Sequence, residues 1–139
     1  MFRSLRSRSL LVTLFVVLPL VLAACGGSSS TGGGPTSGST NVTVTLTEFK
    51  VDSSLATFTQ GTAYHFTIKN AGKVPHEWLI INPGDTNAAN SIFGVKQDQL
   101  LAGATVTVDY TFTKAGSFEF ACLLPGHYEQ GMHTAVTVK

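Results

Sequence analysis

One cysteine, one histidine and one methionine fall within a single short stretch near the end of the chain. Cys122 is followed after four residues by His127, and His127 after four more by Met132. Between the first two lies Pro125-Gly126, which predicts a sharp turn that brings His127 back towards Cys122. Thiolate, imidazole and thioether donors together suit copper, which must be held as both Cu(I) and Cu(II). The stretch therefore predicts a redox-active, mononuclear copper site.

A fourth donor is expected from a distant part of the chain. His76 begins the run His76 to Ile81, which predicts a central strand buried on both faces. With Cys122 and His127 it would complete a trigonal set, and Met132 would be the weak axial ligand. Four protein ligands leave no open position for a substrate, and no catalytic residue set is found, so we expect that the protein is not an enzyme.

The first 24 residues predict a secretory signal peptide. Three arginines precede an apolar run from Leu10 to Leu22 that is shorter than a membrane span. The run ends in Leu22-Ala23-Ala24-Cys25, which resembles the bacterial lipobox. The resemblance implies cleavage before Cys25 and lipidation of its thiol. The alternative is an ordinary cleavage site with a cysteine there by chance.

Residues 25–41 are predicted to be the lipidated cysteine and a flexible tether, because Gly26 to Asn41 is almost wholly Gly, Ser and Thr. The alternative is that this segment packs on the folded domain. Cleavage would remove three arginines and leave six basic against eight acidic residues, so no nucleic-acid partner is expected. The sequence thus predicts an exported monomer, lipid-anchored to a bacterial membrane and facing the periplasm or cell exterior.

Cys122 would then have no disulfide partner. Exported proteins usually pair their cysteines, and the sequence contains only Cys25 besides this one. A metal is therefore the favoured role of Cys122. The alternative is a buried cysteine that acts as a small apolar residue.

Two other histidines could compete for the metal. His65 alternates with Tyr64 and Phe66, so it is predicted on the exposed face of a strand. His133 directly follows Met132 and should point away from the metal if Met132 faces it. Exchange of the axial ligand for His133 is the alternative.

The folded domain is predicted to span residues 42–139 and to be all-β. Short apolar-alternating runs, separated by Gly, Pro and Asn, predict a Greek-key antiparallel β-sandwich of about seven to eight strands. Residues 85–101 predict an excursion outside the sheet that holds a short helix or an irregular strand. The predicted core residues are Phe66, Trp78, Ile80, Tyr110, Phe112, Phe118 and Phe120.

Two segments, Asn70 to Trp78 and Phe120 to Met132, resemble the type 1 (blue) copper proteins of the cupredoxin family, and most of all its plastocyanin-like and auracyanin-like bacterial members. The resemblance extends over residues 42–139. It implies a cupredoxin-like sandwich and an electron-carrying protein with one type 1 copper, with the backbone carbonyl of Pro75 near the metal. The implied ligands are His76, Cys122, His127 and Met132.

Glu77 departs from the family pattern. Many relatives have Asn after the first histidine, where its side chain hydrogen-bonds to the segment beside the cysteine. A carboxylate at Glu77 could accept backbone N–H groups there, but it would add negative charge near the copper.

The leading hypothesis is a tethered electron carrier. His127 would present its ring edge on an apolar electron-port patch made of Leu123, Leu124 and Pro125, which suits brief docking with redox partner proteins, expected to be membrane-associated. A copper-binding or copper-delivery lipoprotein with the same ligands is the first alternative. A metal-free binding module of the same fold is the second.

Overall fold

The computed structural model describes residues 40–139, and their regular secondary structure is almost wholly β-strand. The first strand shows the cause: Val42, Val44 and Leu46 are fully buried, while the threonines between them face outward. The elements are β1 (Thr40–Thr47), β2 (Lys50–Ser53), β3 (Thr57–Phe58), β4 (Ala63–Asn70), β5 (Trp78–Ile81), a 3-10 helix (Ala88–Asn90), β6 (Phe93–Val95), β7 (Thr105–Thr111), β8 (Gly116–Ala121) and β9 (His133–Val138).

The strands form the two layers of a β-sandwich, as the sequence predicted. One sheet has the order β2-β1-β4-β7 and the other the order β3-β9-β8-β5-β6. The chain crosses from one sheet to the other several times, so neighbouring strands are often distant in sequence. Those crossings bring the end of β8 beside the start of β5, where the predicted metal ligands lie.

Two pairings differ from the predicted antiparallel pattern. β1 pairs with β4 in parallel, with Val42 opposite Phe66, and β3 pairs with β9 in parallel. Parallel neighbours need a long connection, and the chain between β1 and β4 supplies one because it contains β2 and β3. The described residues hold nine strands rather than seven to eight, and the shortest of them has two residues.

The main core lies between the sheets and is largely aromatic. The ring of Phe66 lies 5.0 Å from that of Trp78 and 5.9 Å from that of Phe120. Five of the predicted core residues are fully buried: Phe66, Trp78, Ile80, Phe112 and Phe120. The other two, Tyr110 and Phe118, are half-buried and pack against the edge of this core.

A smaller apolar cluster covers the outer face of the five-stranded sheet. Leu79, Ile81 and Ala121 are buried there beneath Leu123 and Tyr128, which belong to the segment between β8 and β9. This cover explains why every residue of β5 is buried, as predicted, although the strand begins at Trp78 rather than at His76. The segment between β8 and β9 is therefore packed on the sheet.

Residues 85–101 are more regular than predicted. They contain the 3-10 helix, and Phe93–Val95 pairs with β5 as an edge strand, so part of this segment joins the sheet. The expectation of an excursion outside the sheet was therefore wrong for β6. β6 can pair closely with β5 because Gly94, which lies opposite Leu79, has no side chain. A Cβ at this position would collide with the backbone of Trp78.

The strand β1 begins at Thr40, within the segment predicted as tether. The predicted signal peptide, the lipidation of Cys25 and the rest of the tether lie outside the described residues. Among the described residues, no helix has the length and apolar character needed to cross a membrane.

Candidate metal centre

The antiparallel pairing of β5 and β8 brings two distant donors together. Leu79 is opposite Ala121, so the residues just before β5 lie beside those just after β8. His76 and Cys122 occupy these two positions, and both are fully buried. His127 follows in the loop to β9. Secondary structure thus fixes the first pair, and the loop adds the next ligand.

The three donor atoms converge on one point. The Nδ1 atom of His127 lies 3.3 Å from Nδ1 of His76 and 3.3 Å from Sγ of Cys122. All three atoms lie within 4.8 Å of one another. Two imidazole nitrogens and one sulfur are therefore placed where a single ion could bind all three.

Met132 is held beside this group by its own backbone. Its carbonyl accepts a hydrogen bond from the N–H of Cys122 at 3.0 Å, and its N–H donates to the carbonyl of His127 at 3.0 Å. The side chain is fully buried in the same core cluster as Cys122. Two hydrogen bonds therefore tie the fourth predicted ligand to two of the other three.

The ligand loop turns sharply at two glycines. Gly126 has φ of 80° and Gly131 has φ of 97°, a region that residues with a Cβ rarely adopt. The N–H of His127 donates to the carbonyl of Leu124 at 2.9 Å, which closes the first turn. The side chain of Gln130 donates to the carbonyl of Gly126 at 2.9 Å and braces the loop from within.

A buried asparagine shapes the segment before His76. The side chain of Asn70 donates to the carbonyls of Val74 and Leu100 at 2.8 and 2.9 Å and accepts from the N–H of Gly72 at 2.9 Å. The N–H of His76 donates to the carbonyl of Leu100 at 3.1 Å. Asn70 was not singled out from the sequence, although a polar residue at the buried end of a strand is a usable signal.

Pro75 and Glu77 flank His76 in the segment before β5. Pro75 is half-buried. Glu77 is only 6% exposed, and its Oε1 accepts a hydrogen bond from the N–H of Leu123 at 3.2 Å. The N–H of Glu77 points to Sγ of Cys122 at 3.5 Å. Glu77 therefore joins the segment before β5 to the ligand loop through hydrogen bonds with Cys122 and Leu123.

Burial shifts the pKa values of two of the predicted ligands. Burial raises the pKa of the Cys122 thiol, and backbone N–H groups of Glu77 and Leu124 oppose that shift. Burial also lowers the pKa of His76, and the neighbouring His127 lowers it further. The protein alone thus favours a neutral thiol and a neutral imidazole at His76. A cation bound here would favour the thiolate instead.

The chemistry of the donors fits copper. Thiolate and thioether donors favour Cu(I), and imidazole suits both oxidation states. A buried thiol with no disulfide partner in the described domain, beside two imidazoles, is the arrangement expected of a trigonal site with a weak methionine. The residues present therefore match the ion that the sequence predicted.

The two competing histidines lie elsewhere. His65 is on the outer face of its sheet, where its Nδ1 lies 2.7 Å from a carboxylate oxygen of Asp109. The ring of His133 stacks on Tyr128 at 4.2 Å, and its Nδ1 lies 3.8 Å from a carboxylate oxygen of Glu119. Neither belongs to the donor group found among the described residues.

The predicted electron-port residues differ in their surroundings. Pro125 is exposed, and Leu123 and Leu124 are half-buried. Leu123 packs on the outer face of the sheet, whereas Leu124 packs against the main core. The sequence analysis missed Phe49, an apolar residue beside the four-stranded sheet. Its ring meets that of His127 edge-on at 5.6 Å.

Comparison with known proteins supports the same class. Residues 37–139 match the family described as copper binding proteins of the plastocyanin/azurin family. The chain therefore belongs to this blue-copper cupredoxin family, and His76, Cys122, His127 and Met132 form a single type 1 copper site.

Two curated relatives are informative. The chain is 33% identical over 99 residues to the "Copper-resistant cuproprotein CopI" of Rubrivivax gelatinosus, covering 65% of this chain and 60% of that protein. It is 30% identical over 147 residues to Auracyanin-A of Chloroflexus aurantiacus, covering 87% of this chain and 91% of that protein. The chain thus spans less than two thirds of CopI but nearly all of Auracyanin-A.

Solved structures share the fold. Auracyanin from Roseiflexus castenholzii superimposes with a TM-score of 0.59 at 24% identity, covering 73% of this chain and 98% of that one. A rusticyanin structure gives a TM-score of 0.58 at 16% identity, covering 73% of this chain and 80% of that one. These likenesses confirm the cupredoxin sandwich.

Proposed function

We propose that the protein is a membrane-tethered type 1 blue-copper electron carrier that passes single electrons between redox partner proteins. The observation that carries this proposal is the unequal exposure of the ligands. His76, Cys122 and Met132 are fully buried, whereas His127 is half-buried. The ring of His127 therefore offers an electron a short path between the buried site and the surface.

Apolar surface surrounds this end of the molecule. Phe49, which contacts His127, is 38% exposed. Val74 and Leu101 are 41% and 55% exposed, and they belong to the two segments that meet at the hydrogen bond from His76 to Leu100. An apolar patch of modest size suits weak, brief contacts with partner proteins.

The fixed geometry of the ligands also favours electron transfer. When bound, copper supplies a one-electron Cu(II)/Cu(I) couple. Backbone hydrogen bonds among Cys122, His127 and Met132 hold the ligands in place before any metal binds. The ligands therefore need to move little when the metal changes its oxidation state. Four protein donors also leave no open position for a substrate, which supports a carrier rather than an enzyme.

Membrane attachment is part of the proposal and is supported by the sequence. The signal peptide, Cys25 and the tether would place the domain outside the cytoplasm, in the periplasm or at the cell exterior, as a monomer. A tether raises the local concentration of membrane-associated redox partners into the millimolar range. Replacing Cys25 by Ala should release the protein from membranes, and unchanged membrane fractionation would contradict lipid anchoring.

The central experiment is spectroscopy and voltammetry of the copper-loaded protein expressed from the full chain. We expect an intense blue colour in the oxidised form and a reversible one-electron wave, with copper retained over repeated cycles. A colourless oxidised protein with one bound copper would contradict a type 1 site.

A second function is favoured by one comparison, the similarity to the copper-resistant cuproprotein CopI. Copper delivery would use the same four ligands without electron turnover. Rapid loss of Cu(I) to a competing chelator, with slow or irreversible electrode reactions, would favour delivery. Retention of Cu(I) under the same conditions favours the carrier, and failure to bind copper at all would favour the metal-free module.

A further inference from the structure

The turn between β1 and β2 reaches the copper ligands from the opposite sheet. Phe49 contacts His127, and the carboxylate of Glu48 lies beside His76. Phe49 has φ of 62°, so the turn adopts a backbone conformation that is unusual for a residue with a Cβ. Neither residue belongs to the group of metal-binding side chains.

His76 has one ring nitrogen that lacks a partner. Its Nδ1 faces the donor group, and its Nε2 is buried without a hydrogen-bond partner among the described residues. A neutral imidazole that binds a metal through Nδ1 carries its proton on Nε2. The copper-loaded protein would thus bury an N–H donor that needs an acceptor.

Gly72 leaves a gap between this nitrogen and Glu48. A Cβ at position 72 would lie 2.8 Å from Nε2 of His76 and 2.8 Å from Oε1 of Glu48. The two atoms therefore border the same small space and are separated by no more than twice that distance. The absence of a side chain at Gly72 allows the carboxylate and the imidazole to approach each other.

The carboxylate is already fixed at this position. Oε1 of Glu48 accepts a hydrogen bond from the backbone N–H of Lys73. This bond lowers the pKa of Glu48, and the backbone N–H of Glu48 itself and the nearby His76 lower it further. The carboxylate is therefore charged at neutral pH. A carboxylate oxygen has a second lone pair, and it can accept from another donor at the same time.

We infer that Glu48 accepts a hydrogen bond from Nε2–H of His76 in the copper-loaded protein and so positions this ligand. Such a partner fixes which ring nitrogen carries the proton, orients the ring and strengthens it as a donor. The negative charge should favour Cu(II) over Cu(I). The inference depends on the copper site and not on the proposed electron-carrying role.

The variant Glu48→Gln separates this role from a purely structural one. Glutamine keeps an oxygen that can accept from Lys73, so the loop should stay folded, but the charge is lost. We expect about 10-fold weaker Cu(II) binding, as for other partners of ligand histidines. If Cu(I) affinity is unchanged, a tenfold change in the ratio raises the midpoint potential by about 59 mV.

Glu129→Gln is the matched control, because Glu129 is an exposed carboxylate on the ligand loop. It removes one charge from the same end of the molecule without contact to His76. A second readout is the Nε2–H proton of His76, measured by NMR in the diamagnetic Cu(I) protein. We expect a slowly exchanging signal in the wild type that shifts in Glu48→Gln and stays in place in Glu129→Gln.

Equal effects of the two variants on the affinity ratio, with the Nε2–H signal unmoved, would overturn the inference. In that case Glu48 would serve only to bind the N–H of Lys73. A wild-type protein that bound no copper would overturn the copper site itself, and the inference with it. Gly72→Ala gives an independent check, since its Cβ should separate the two groups and reproduce the effect of Glu48→Gln on the potential.

Discussion

Glu77 accepts a hydrogen bond from the backbone N–H of Leu123 at 3.2 Å, and this bond joins the two segments that supply the copper ligands. Glu77 is almost fully buried, and its backbone N–H points to Sγ of Cys122 at 3.5 Å. It combines a structural bond with a negative charge close to the metal. The two effects can be separated by substitution.

Glu77→Gln should raise the midpoint potential while leaving stability nearly unchanged. The amide oxygen can still accept from Leu123, but the negative charge that favours Cu(II) is gone. Glu77→Leu should in addition destabilise the protein by about 1–3 kcal/mol, because a buried N–H loses its partner. Voltammetry and denaturant unfolding of both variants test this. A potential equal to that of wild type in Glu77→Gln would show that the charge is not felt at the copper.

Cys122→Ser should abolish the blue colour and leave the fold intact. The hydroxyl replaces the thiol at a fully buried position, so the change in volume is small, but the thiolate responsible for the colour is lost. Visible absorption and circular dichroism of the purified variant provide the test. A variant that remained blue would place the metal elsewhere.

The metal-free protein should become less stable as the pH falls from about 7 to 5, through the range in which a free histidine titrates. The pKa of His76 is lowered from 6.5 by burial and by the nearby His127, so the unfolded chain binds a proton first. Stability therefore falls with pH, by at most about 1.4 kcal/mol per pH unit for one proton.

Denaturant unfolding of the metal-free protein at pH 5, 6 and 7 measures this dependence. The variant His76→Gln should show a shallower slope because it lacks the buried titrating group. Identical slopes for the variant and the wild type would show that His76 does not contribute.

Phe49→Gly should be more stable than Phe49→Ala by about 1 kcal/mol. Both variants remove the ring from His127, but only glycine adopts the positive φ at this position without a steric penalty. Denaturant unfolding compares their stability. Rates of electron self-exchange should change to a similar extent in both, since the lost ring is the same, and unequal rates would point to a change in the loop.

The ligands were predictable because their chemistry is rare and local. Cys122, His127 and Met132 lie close in sequence, and the alternation of side chains along a strand correctly placed His133 away from the site. Glu48 and Phe49 were missed because their contacts depend on how the two sheets are stacked. No local pattern in the turn between β1 and β2 indicates that it meets ligands more than twenty residues away in sequence.

The short strands were missed for a different reason. Thr57–Phe58 is a strand only because it pairs with β9, and two residues are too few for any alternation to be recognised. Leu123, predicted as part of the electron-port patch, is half-buried. It packs on Leu79 and Ile81 because the ligand loop folds back over the sheet.

The start of β1 and the copper ligands lie at opposite ends of this strand. The strand starts at Thr40 and ends next to Glu48 and Phe49, which lie against the copper ligands. Eight residues of strand extend about 26 Å. Chain attached before Thr40 therefore enters the domain about one strand length from Glu48 and Phe49, which leaves the half-buried His127 away from the point of attachment.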